Sequence, residues 1–503
     1  MDIDVDVVVI GGGPVGSTAL ALCGRAGLRA IGFEKDAEMW PTARAVHFDG
    51  ETMRALQGLG IASQFWDVVI PMKDIEIVNE AGQVLVHAPS GGVGEQGWPE
   101  HISFHQPDIE HLIREVIADT PGIELRCAER VTAVSSVDGG VAVTSVDARG
   151  DASTTHARWA IVADGGRSET RHALGIETEK YGDDAQWLVV DGQLVGAPGY
   201  EADMVQFGRY TRPALWLRLP GDRVRMEFML MPDDDPQEIV TPAAVERISR
   251  GALPADKFTP DRQAIYTFRG RIAQQWRSGN IFLAGDAAHQ APPLFGQGLC
   301  AGIRDVANLV WKLDLVRRGI ADDALLDTYE SERKPHATFW VETAANQAVF
   351  IQTTDPAVAE GRDAYIAANP GASALPPPPS LGPGLHEGGD GTRAGYLGPQ
   401  PILSDGTRLD DMVGPHFLVA TERSLYDALA PATKAVLDDD GDTVTLLDPA
   451  KIDQLIQTVG AKGIVLRPDH YILGVADSAS DLERLIHSIP SIAHIATAPA
   501  ESR

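Results

Sequence analysis

The distribution of apolar residues near the start of the chain predicts a β–α–β unit. Val5–Ile10 is rich in β-branched apolar residues, as expected for a strand that is buried on both faces. Glycines interrupt this pattern over residues 11–16, and residues 17–26 have the composition of a helix, which Gly27 ends. Residues 29–33 are predicted to form a second strand. This order is typical of a parallel sheet whose strands are joined by helices.

The middle of the chain has a different pattern, which predicts an antiparallel sheet. Four strands are expected, at residues 186–194, 204–208, 214–219 and 223–230. In the last of them charged and apolar residues alternate, in the order Arg223, Val224, Arg225, Met226, Glu227, Phe228. A period of two indicates a sheet with one face in water, and such sheets are mainly antiparallel. We expect this sheet to form a second layer that covers a substrate.

Three further segments complete the first part of the chain. Residues 281–284 predict another buried strand, and residues 298–318 predict a long helix. The apolar face of that helix consists of Leu299, Ile303, Val306, Leu309, Val310 and Leu313. Residues 369–398 are rich in Pro and Gly, with prolines at all four positions 376–379, and predict a stiff linker.

A separate small α/β unit is predicted beyond the linker. It has a strand near residues 417–420, a hairpin of residues 464–467 with 471–475, and a closing helix over residues 481–489. This order resembles the second half of a thioredoxin fold. Because the chain has no CxxC pair, we expect no dithiol chemistry there and assign the unit a structural or interface role.

Composition and charge restrict the partners. The length of 503 residues predicts two or three domains. The net charge of −29 argues against nucleic acid and anionic membranes, because a negative field repels both. The three cysteines have no ligand-like spacing, which argues against a disulfide framework and a metal site. No apolar run reaches membrane-spanning length, so we expect a cytoplasmic protein. We expect it to be a monomer or a homodimer.

Three glycines between the first strand and the first helix form the pattern G-x-G-x-x-G. Gly11 permits a tight turn, Gly13 lets backbone N–H groups approach a pyrophosphate, and Gly16 lets the helix pack on the strand. Glu34 ends the second strand, where a carboxylate accepts hydrogen bonds from a ribose diol. The motif predicts a dinucleotide site, for which FAD and NAD are both possible at this point. The predicted contacts are Gly11, Gly13, Pro14, Gly16, Glu34 and Lys35.

Three later segments favour FAD: residues 164–168 (DGGRS), 285–289 (GDAAH) and 292–298 (PPLFGQG). Asp286 would hold a ribityl hydroxyl at the end of a strand. The turn at residues 296–299 would offer N–H groups and a helix dipole to the flavin pyrimidine, which becomes anionic on reduction. The predicted contacts in the last two segments are Gly285, Asp286, Pro293, Gly296, Gly298 and Leu299.

At these motifs the chain resembles the class A flavoprotein monooxygenases of the para-hydroxybenzoate hydroxylase fold. It has their Gly-rich loop, Asp-Gly motif and Gly-Asp motif, over roughly residues 1–350. The C-terminal unit narrows the resemblance to the subgroup with phenol hydroxylase and the polyketide aromatic hydroxylases. Residues 41–53 (PTARAVHFDGETM) and 292–305 (PPLFGQGLCAGIRD) are most similar to 3-(3-hydroxyphenyl)propionate hydroxylases.

The resemblance implies an aromatic hydroxylase that uses FAD, NADH or NADPH, and O2. It would hydroxylate a phenolic ring through a flavin C4a-hydroperoxide. Arg44 would lie near the FAD pyrophosphate and guide the nicotinamide, or would be only a surface charge. Gln106 would bond the ribityl chain or flavin edge, or would only begin a helix. Asp164 would lie beside the dinucleotide.

The same resemblance suggests how the ring is activated. A carboxylate near a phenol attracts its proton and makes the ring more nucleophilic. Asp49 matches the carboxylate of phenol-hydroxylase relatives, with His47 nearby, but Asp49 is at least as well explained as a helix N-cap. Tyr266 could line the pocket or pack beneath it. We expect His289 to be a structural group behind the flavin.

The predicted fold is α/β, with a Rossmann-type FAD-binding domain, an inserted antiparallel β-sheet substrate domain and a C-terminal thioredoxin-like domain. The expected divisions are 1–185 with 265–365 for FAD, 70–100 with 186–264 for the substrate sheet, 366–398 for the linker, and 399–503 for the thioredoxin-like domain. A flavin-dependent reductase or saturase of this fold remains an alternative, as does a flavin-carrying interaction module. A halogenase is disfavoured because no WxWxIP segment is present.

Overall fold

The structure of the chain, a computed structural model, describes residues 3–41, 43–196, 200–249, 257–369, 376–388 and 392–497. The strands are β1 Val5–Ile10, β2 Ala30–Glu34, β3 His47–Phe48, β4 Val69–Pro71, β5 Asp74–Val78, β6 Val84–Pro89, β7 Ile102–Phe104, β8 Ile123–Cys127, β9 Arg130–Val137, β10 Gly140–Val146, β11 Ala152–Val162, β12 Thr178–Leu194, β13 Met204–Phe207, β14 Ala214–Arg218, β15 Arg223–Met229, β16 Phe258–Ala273, β17 Arg277–Ser278, β18 Ile281–Leu283, β19 His289–Gln290, β20 Phe417–Thr421, β21 Thr443–Leu446, β22 Gly463–Leu466 and β23 Ile472–Ala476. The helices are α1 Pro14–Arg25, α2 Gly50–Gln57, α3 Ala62–Asp67, α4 Gln106–Asp119, α5 Glu169–Ala173, α6 Pro242–Ser249, α7 Gln297–Arg317, α8 Ala324–Ile351, α9 Pro356–Ala368, α10 Leu409–Val413, α11 Arg423–Asp427, α12 Pro431–Asp439, α13 Pro449–Val459, α14 Ala479–Ser488 and α15 Pro490–Thr497.

The first sheet confirms the predicted β–α–β unit. Its order is β17-β18-β11-β1-β2-β8, and β1 pairs in parallel with both β2 and β11. Val7, Val8 and Val9 are fully buried, so both faces of β1 are covered, one of them by helix α1. The long helix α7 lies close to α1 at Gly302, where an added Cβ would be 2.6 Å from a methyl carbon of Val15.

The second sheet has the order β19-β16-β12-β15-β14-β13-β5-β6. The antiparallel pairing predicted for these strands is confirmed: β12 pairs with β15, β15 with β14, and β14 with β13. Strand β5 joins β13 in parallel. The prediction of a face in water was wrong for β15. Arg225 and Glu227 are buried, because this face lies over a cavity and not over bulk solvent.

Two strands of this sheet are much longer than the pattern predicts. β12 starts at Thr178 and β16 ends at Ala273, so both strands cross the predicted divisions at 185/186 and 264/265. The added parts of β12 are polar, as at Lys180 and Asp183, and lack the apolar alternation that signals a strand. The proposed domain divisions therefore fall inside continuous strands.

The C-terminal unit contains a third sheet of order β21-β20-β22-β23. The predicted strand, hairpin and closing helix correspond to β20, β22 with β23, and α14, each within a few residues of the expected bounds. Strand β21 and helix α13 were not predicted. Its likeness to a thioredoxin fold stays a prediction.

The linker is attached to its surroundings where it is described. Residues 370–375 and 389–391 of the predicted linker lie outside the described residues. Gly382 donates its N–H to the carbonyl of Glu332 in α8, and Glu387 donates to the carbonyl of Leu473 in β23. An added Cβ at Gly382 would be 2.1 Å from the carbonyl oxygen of Ser331. The segment therefore packs between two units and is not a free spacer.

The described residues contain neither a membrane-spanning helix nor a cluster of metal ligands. No helix there has the length and apolar character needed to cross a bilayer. No group of three or more histidine, cysteine, aspartate or glutamate side chains there is placed to hold a metal ion.

Candidate active site

A cavity of about 1880 Å³ lies between the first two sheets. It extends from the glycine-rich loop and the end of β2, past the start of α7, to the inner face of the second sheet. The predicted site residues that line it are Gly11, Gly13, Pro14, Glu34, Lys35, Arg44, His47, Gln106, Asp164, Tyr266, Asp286, Pro293, Gly296, Gly298 and Leu299. Gly16, Asp49 and Gly285 do not line it. The sequence motifs therefore meet at one place.

The glycine-rich loop is shaped for close backbone contact. Gly11 has a φ of +101°, and a Cβ at Gly16 would be 1.9 Å from the carbonyl oxygen of Gly11. These two glycines are needed for the turn itself. Gly13 differs, because a Cβ there would meet no protein atom within 4 Å and Gly13 faces the cavity. Helix α1 begins at this point without a side-chain cap, which leaves its first N–H groups available to an anion.

Glu34 is fixed at the carboxyl end of β2. One of its carboxylate oxygens accepts a hydrogen bond from Gly12 N at 2.8 Å, and the other accepts one from Asp36 N at 2.9 Å. Each oxygen has a second lone pair for a ribose hydroxyl. The carboxylate is thus oriented before any nucleotide binds.

Two aspartates supply polar groups to the middle of the cavity. Asp164 accepts a hydrogen bond from Thr170 N at 3.1 Å through Oδ2, while its buried Oδ1 has no partner among the described residues. Asp286 is open to the cavity. The protein around its carboxyl group displaces water and raises its pKa above the ordinary value, while the charges of His289 and Arg44 lower it. Both carboxyl groups match the hydroxyl groups of a ribose or a ribityl chain.

The start of α7 forms the far end of this region. Gly296 has a φ of +65° and caps a 21-residue helix without a side-chain hydrogen bond. A Cβ at Gly296 would be 2.2 Å from Nδ1 of His47. Burial and the neighbouring His101 lower the pKa of His47 to about 3, with Asp49 opposing, so this ring is neutral. The site therefore presents backbone N–H groups and no cationic side chain from His47.

These features fit FAD. The glycine-rich loop and Glu34 match the adenosine and pyrophosphate, the partnerless oxygen of Asp164 and the carboxyl group of Asp286 match polyol hydroxyls, and the start of α7 matches an electron-accepting ring. Gly285 and Gly16 have contacts within the fold: the N–H of Gly285 donates to Asp305 at 3.0 Å, and Gly16 lies against Gly11. Their predicted contacts with FAD stay predictions. His289 is buried and lies 2.7 Å from Asp305, which supports the structural role predicted for it.

Gln106 organises the loop that carries Arg44. Its Oε1 accepts hydrogen bonds from the N–H groups of Arg44 at 2.9 Å and Ala45 at 2.8 Å, and its Nε2 donates to Glu110 at 2.5 Å. One Nε2 hydrogen remains for the cavity that Gln106 lines. The side chain of Arg44 is exposed and its guanidinium lies 5.7 Å from the ring centre of Trp40. The roles proposed for both residues toward FAD remain predictions.

Asp49 is the N-cap of α2, which supports the structural alternative. Its Oδ1 accepts hydrogen bonds from the backbone N of Thr52 at 2.9 Å and from its Oγ1 at 2.8 Å. Its Oδ2 accepts from Gln297 at 3.1 Å and from the Arg304 guanidinium. Burial would raise the pKa of Asp49, but Arg304 and these hydrogen bonds lower it to about 2. A carboxylate so strongly held, outside the cavity lining, is a poor base for a phenol.

We expect the substitution Asp49→Asn to lower the stability of the protein without changing how NAD(P)H oxidation is coupled to product. The amide keeps the cap on Thr52 but removes the charge that faces Arg304. Asp49→Ala should cost about 1 kcal/mol more, because the cap is also lost. The measurements are thermal unfolding and product formed per nucleotide oxidised. If Asp49→Asn releases peroxide and unfolds at the wild-type temperature, Asp49 acts on the substrate ring and is not only a helix cap.

The inner face of the second sheet holds a charged group that the sequence did not reveal. Tyr266 lines the cavity as one alternative proposed, and its hydroxyl accepts a hydrogen bond from Arg262 at 2.6 Å. Arg225 pairs with Asp191 at 2.7 Å and is almost fully buried. Glu227 also lines the cavity. The alternation of charged and apolar residues in β15 was the only sign of this group in the sequence. The same alternation is typical of a strand with one face in water.

The comparison with known proteins agrees with this site. Residues 4–344 match the family described as FAD binding domain, and the chain belongs to that family. The family binds FAD, and the residues that line the cavity fit the same cofactor.

Two curated relatives extend over almost the whole chain. The chain is 32% identical to a probable NADH-specific resorcinol 4-hydroxylase of Rhodococcus jostii, over 99% of this chain and 96% of that protein. It is 30% identical to a 3-(3-hydroxy-phenyl)propionate/3-hydroxycinnamic acid hydroxylase of Mycolicibacterium smegmatis, over 98% and 94%. The crystal structure of a flavin-dependent monooxygenase, PieE, has a TM-score of 0.82 over 98% of this chain and all of that chain, at 20% identity. The last likeness concerns the fold.

Proposed function

We propose that the chain is an FAD-dependent monooxygenase that hydroxylates a phenolic ring with NAD(P)H and O2. The observation that carries this proposal is the single cavity in which the FAD-binding loops continue into a largely apolar chamber under the second sheet. A nucleotide-only site would need no such chamber. The two long relatives, named as hydroxylases of phenolic compounds, support the same reaction class.

The chain's own residues would hold the flavin and the ring on opposite sides of one space. Gly13 and Glu34 would hold the nucleotide end, and the start of α7 would contact the flavin ring. Bound FAD would supply the redox chemistry, accepting electrons from NAD(P)H and activating O2. The apolar chamber wall would exclude water and stack against the substrate. It consists of Ile75, Ile77, Val189, Met204, Leu215, Leu217, Ile265 and Phe268.

For the oligomeric state, the location and the partners we keep the predictions made from the sequence. We propose a monomer or homodimer located in the cytoplasm. The net charge of −29 argues against nucleic-acid and membrane partners. NADH is the nucleotide to test first, since the Rhodococcus relative is named NADH-specific.

The purified, FAD-loaded protein should oxidise NADH faster when a suitable phenol is added, and the product should gain one oxygen atom. The measurement follows nucleotide loss and product mass together across resorcinol, hydroxyphenylpropionates and fused phenolics, with NADPH in parallel. Product mass is required because nucleotide loss with peroxide release would mimic activity. If phenols are returned unchanged and NADH is instead used to reduce a carbon–carbon double bond of another compound, a reductase or saturase is favoured.

A further inference from the structure

Glu227 is a buried carboxylate with an unusual position in the chamber. It lies on β15 and lines the cavity, and its cross-strand neighbours are Val189 on β12 and Leu215 on β14. Both neighbours are apolar and line the same cavity. The side chain therefore points from an apolar wall toward the space that we assign to the substrate.

No donor among the described residues hydrogen-bonds to this carboxylate. The nearest cation is Arg225, whose Nη1 lies 4.0 Å from Oε1 of Glu227. Arg225 is already engaged: it donates to both oxygens of Asp191, at 2.7 and 3.0 Å, and to the carbonyls of Ala43 and Arg44. A buried carboxylate that accepts no hydrogen bond and has only this distant, already engaged cation is costly to the fold, so such a group points to a ligand that completes it.

The electrostatic surroundings make this group able to exchange a proton near neutral pH. Burial raises the pKa of Glu227 to about 7; Arg225 opposes this rise and Asp191 adds to it. Arg262 of β16 lies 3.5 Å from Asp191 and donates to Tyr266. The other arginines of this side have carboxylates of their own: Arg223 of β15 lies 3.4 Å from Asp108, and Arg269 and Arg271 of β16, which also line the cavity, pair with Asp184. Both forms of the carboxyl group are therefore populated around pH 7.

We propose that Glu227 contacts the phenolic hydroxyl of the substrate, first accepting its hydrogen bond and then its proton, so that the substrate is a phenol whose free hydroxyl reaches β15. This inference rests on the proposed function. In the step the phenol O–H bond breaks and an O–H bond to Glu227 forms, while no electrons are transferred. The ring becomes more nucleophilic, and the proton returns to the product. A substrate carboxylate cannot occupy this position, because two carboxylates would face each other.

The test compares Glu227→Gln and Glu227→Met with Glu238→Gln, the last being the same change at an exposed position of the same unit. All are studied as FAD-loaded protein with resorcinol as the probe. In the wild type, the rate of product formation should rise with pH through an apparent pKa of about 7. Glu227→Gln should lose this dependence and form product on the order of 10²-fold more slowly, with NADH-dependent flavin reduction retained. Glu227→Met should also weaken resorcinol binding, measured by flavin absorbance.

Stability provides a readout that a structural role would not give. Thermal unfolding of both Glu227 variants should be unchanged or shifted upward, since a buried charge that accepts no hydrogen bond from the described residues is removed. If the variants form product at the wild-type rate with the wild-type pH profile, or if they unfold at much lower temperature, the inference is overturned and the proposed function stands. If the wild type hydroxylates no phenol, both the function and this inference are wrong.

Discussion

Replacing Arg467 with alanine is expected to lower the free energy of unfolding by about 3–5 kcal/mol, the usual cost of leaving buried carboxylates without their cation. Arg467 of the C-terminal unit donates to both oxygens of Glu332 in α8, at 2.8 Å each, and to Asp469 at 3.0 and 2.6 Å. All three side chains are almost completely buried. Only Lys312, 2.7 Å from Glu332, would remain to balance two carboxylates. The measurement is denaturant unfolding followed by tryptophan fluorescence.

The matched control is Arg484→Ala in the same unit. Arg484 pairs with Glu387 at the surface, where its side chain is 55% exposed, and such pairs contribute about 0–1 kcal/mol. If the two arginine variants lose the same stability, the buried cluster has no special role and the two units are held together by apolar packing alone.

The effect of Arg467→Ala should also depend on pH. Burial would raise the pKa of Glu332, but Arg467 and Lys312 keep it below its ordinary range in the wild type. Without Arg467 the pKa rises, so the folded variant binds a proton that the unfolded chain does not bind at neutral pH. The stability deficit should therefore shrink as the pH falls from about 8 to about 5. A deficit that is constant over this range would contradict the assignment.

The local motifs could be predicted because each acts within a few residues. Gly11, Gly13 and Gly16 have fixed spacing between a strand and a helix, and the strand β1 has its predicted bounds. The predicted start of the long helix α7 is wrong by only one residue. An uninterrupted apolar period marks such a helix clearly. These motifs meet at one cavity because parallel strands present their carboxyl ends at one edge of the sheet.

The contacts that join distant segments could not be predicted. Arg467 and Glu332 are 135 positions apart, and nothing in either neighbourhood marks them as partners. The alternation that contains Glu227 is the same for a face in water and for a face over a cavity. Asp49 had two explanations with the same local signal, and the contact that favours the structural one comes from Arg304, 255 residues later.

Replacing Gly13 with valine is expected to give a folded but colourless protein. A Cβ at Gly13 meets no protein atom within 4 Å, so the fold itself tolerates the side chain. The side chain would occupy the part of the cavity that we assign to the pyrophosphate. Overpacking of about 3 kcal/mol would weaken FAD binding by roughly a hundredfold. The measurements are the flavin absorbance of the purified protein, the identity of the released flavin as FAD rather than FMN, and circular dichroism.

Two further glycine variants distinguish loss of the site from loss of the fold. Gly441→Val makes the same chemical change in an exposed position where an added Cβ also meets no atom, and it should retain FAD. Gly16→Val should lose both FAD and thermal stability, because its Cβ would overlap the carbonyl oxygen of Gly11 at 1.9 Å. Stoichiometric FAD in purified Gly13→Val would place the pyrophosphate elsewhere. An unfolded Gly13→Val would show instead that the loop cannot accept a side chain, because Gly13 is the N-cap of helix α1 and the first turn depends on the backbone there.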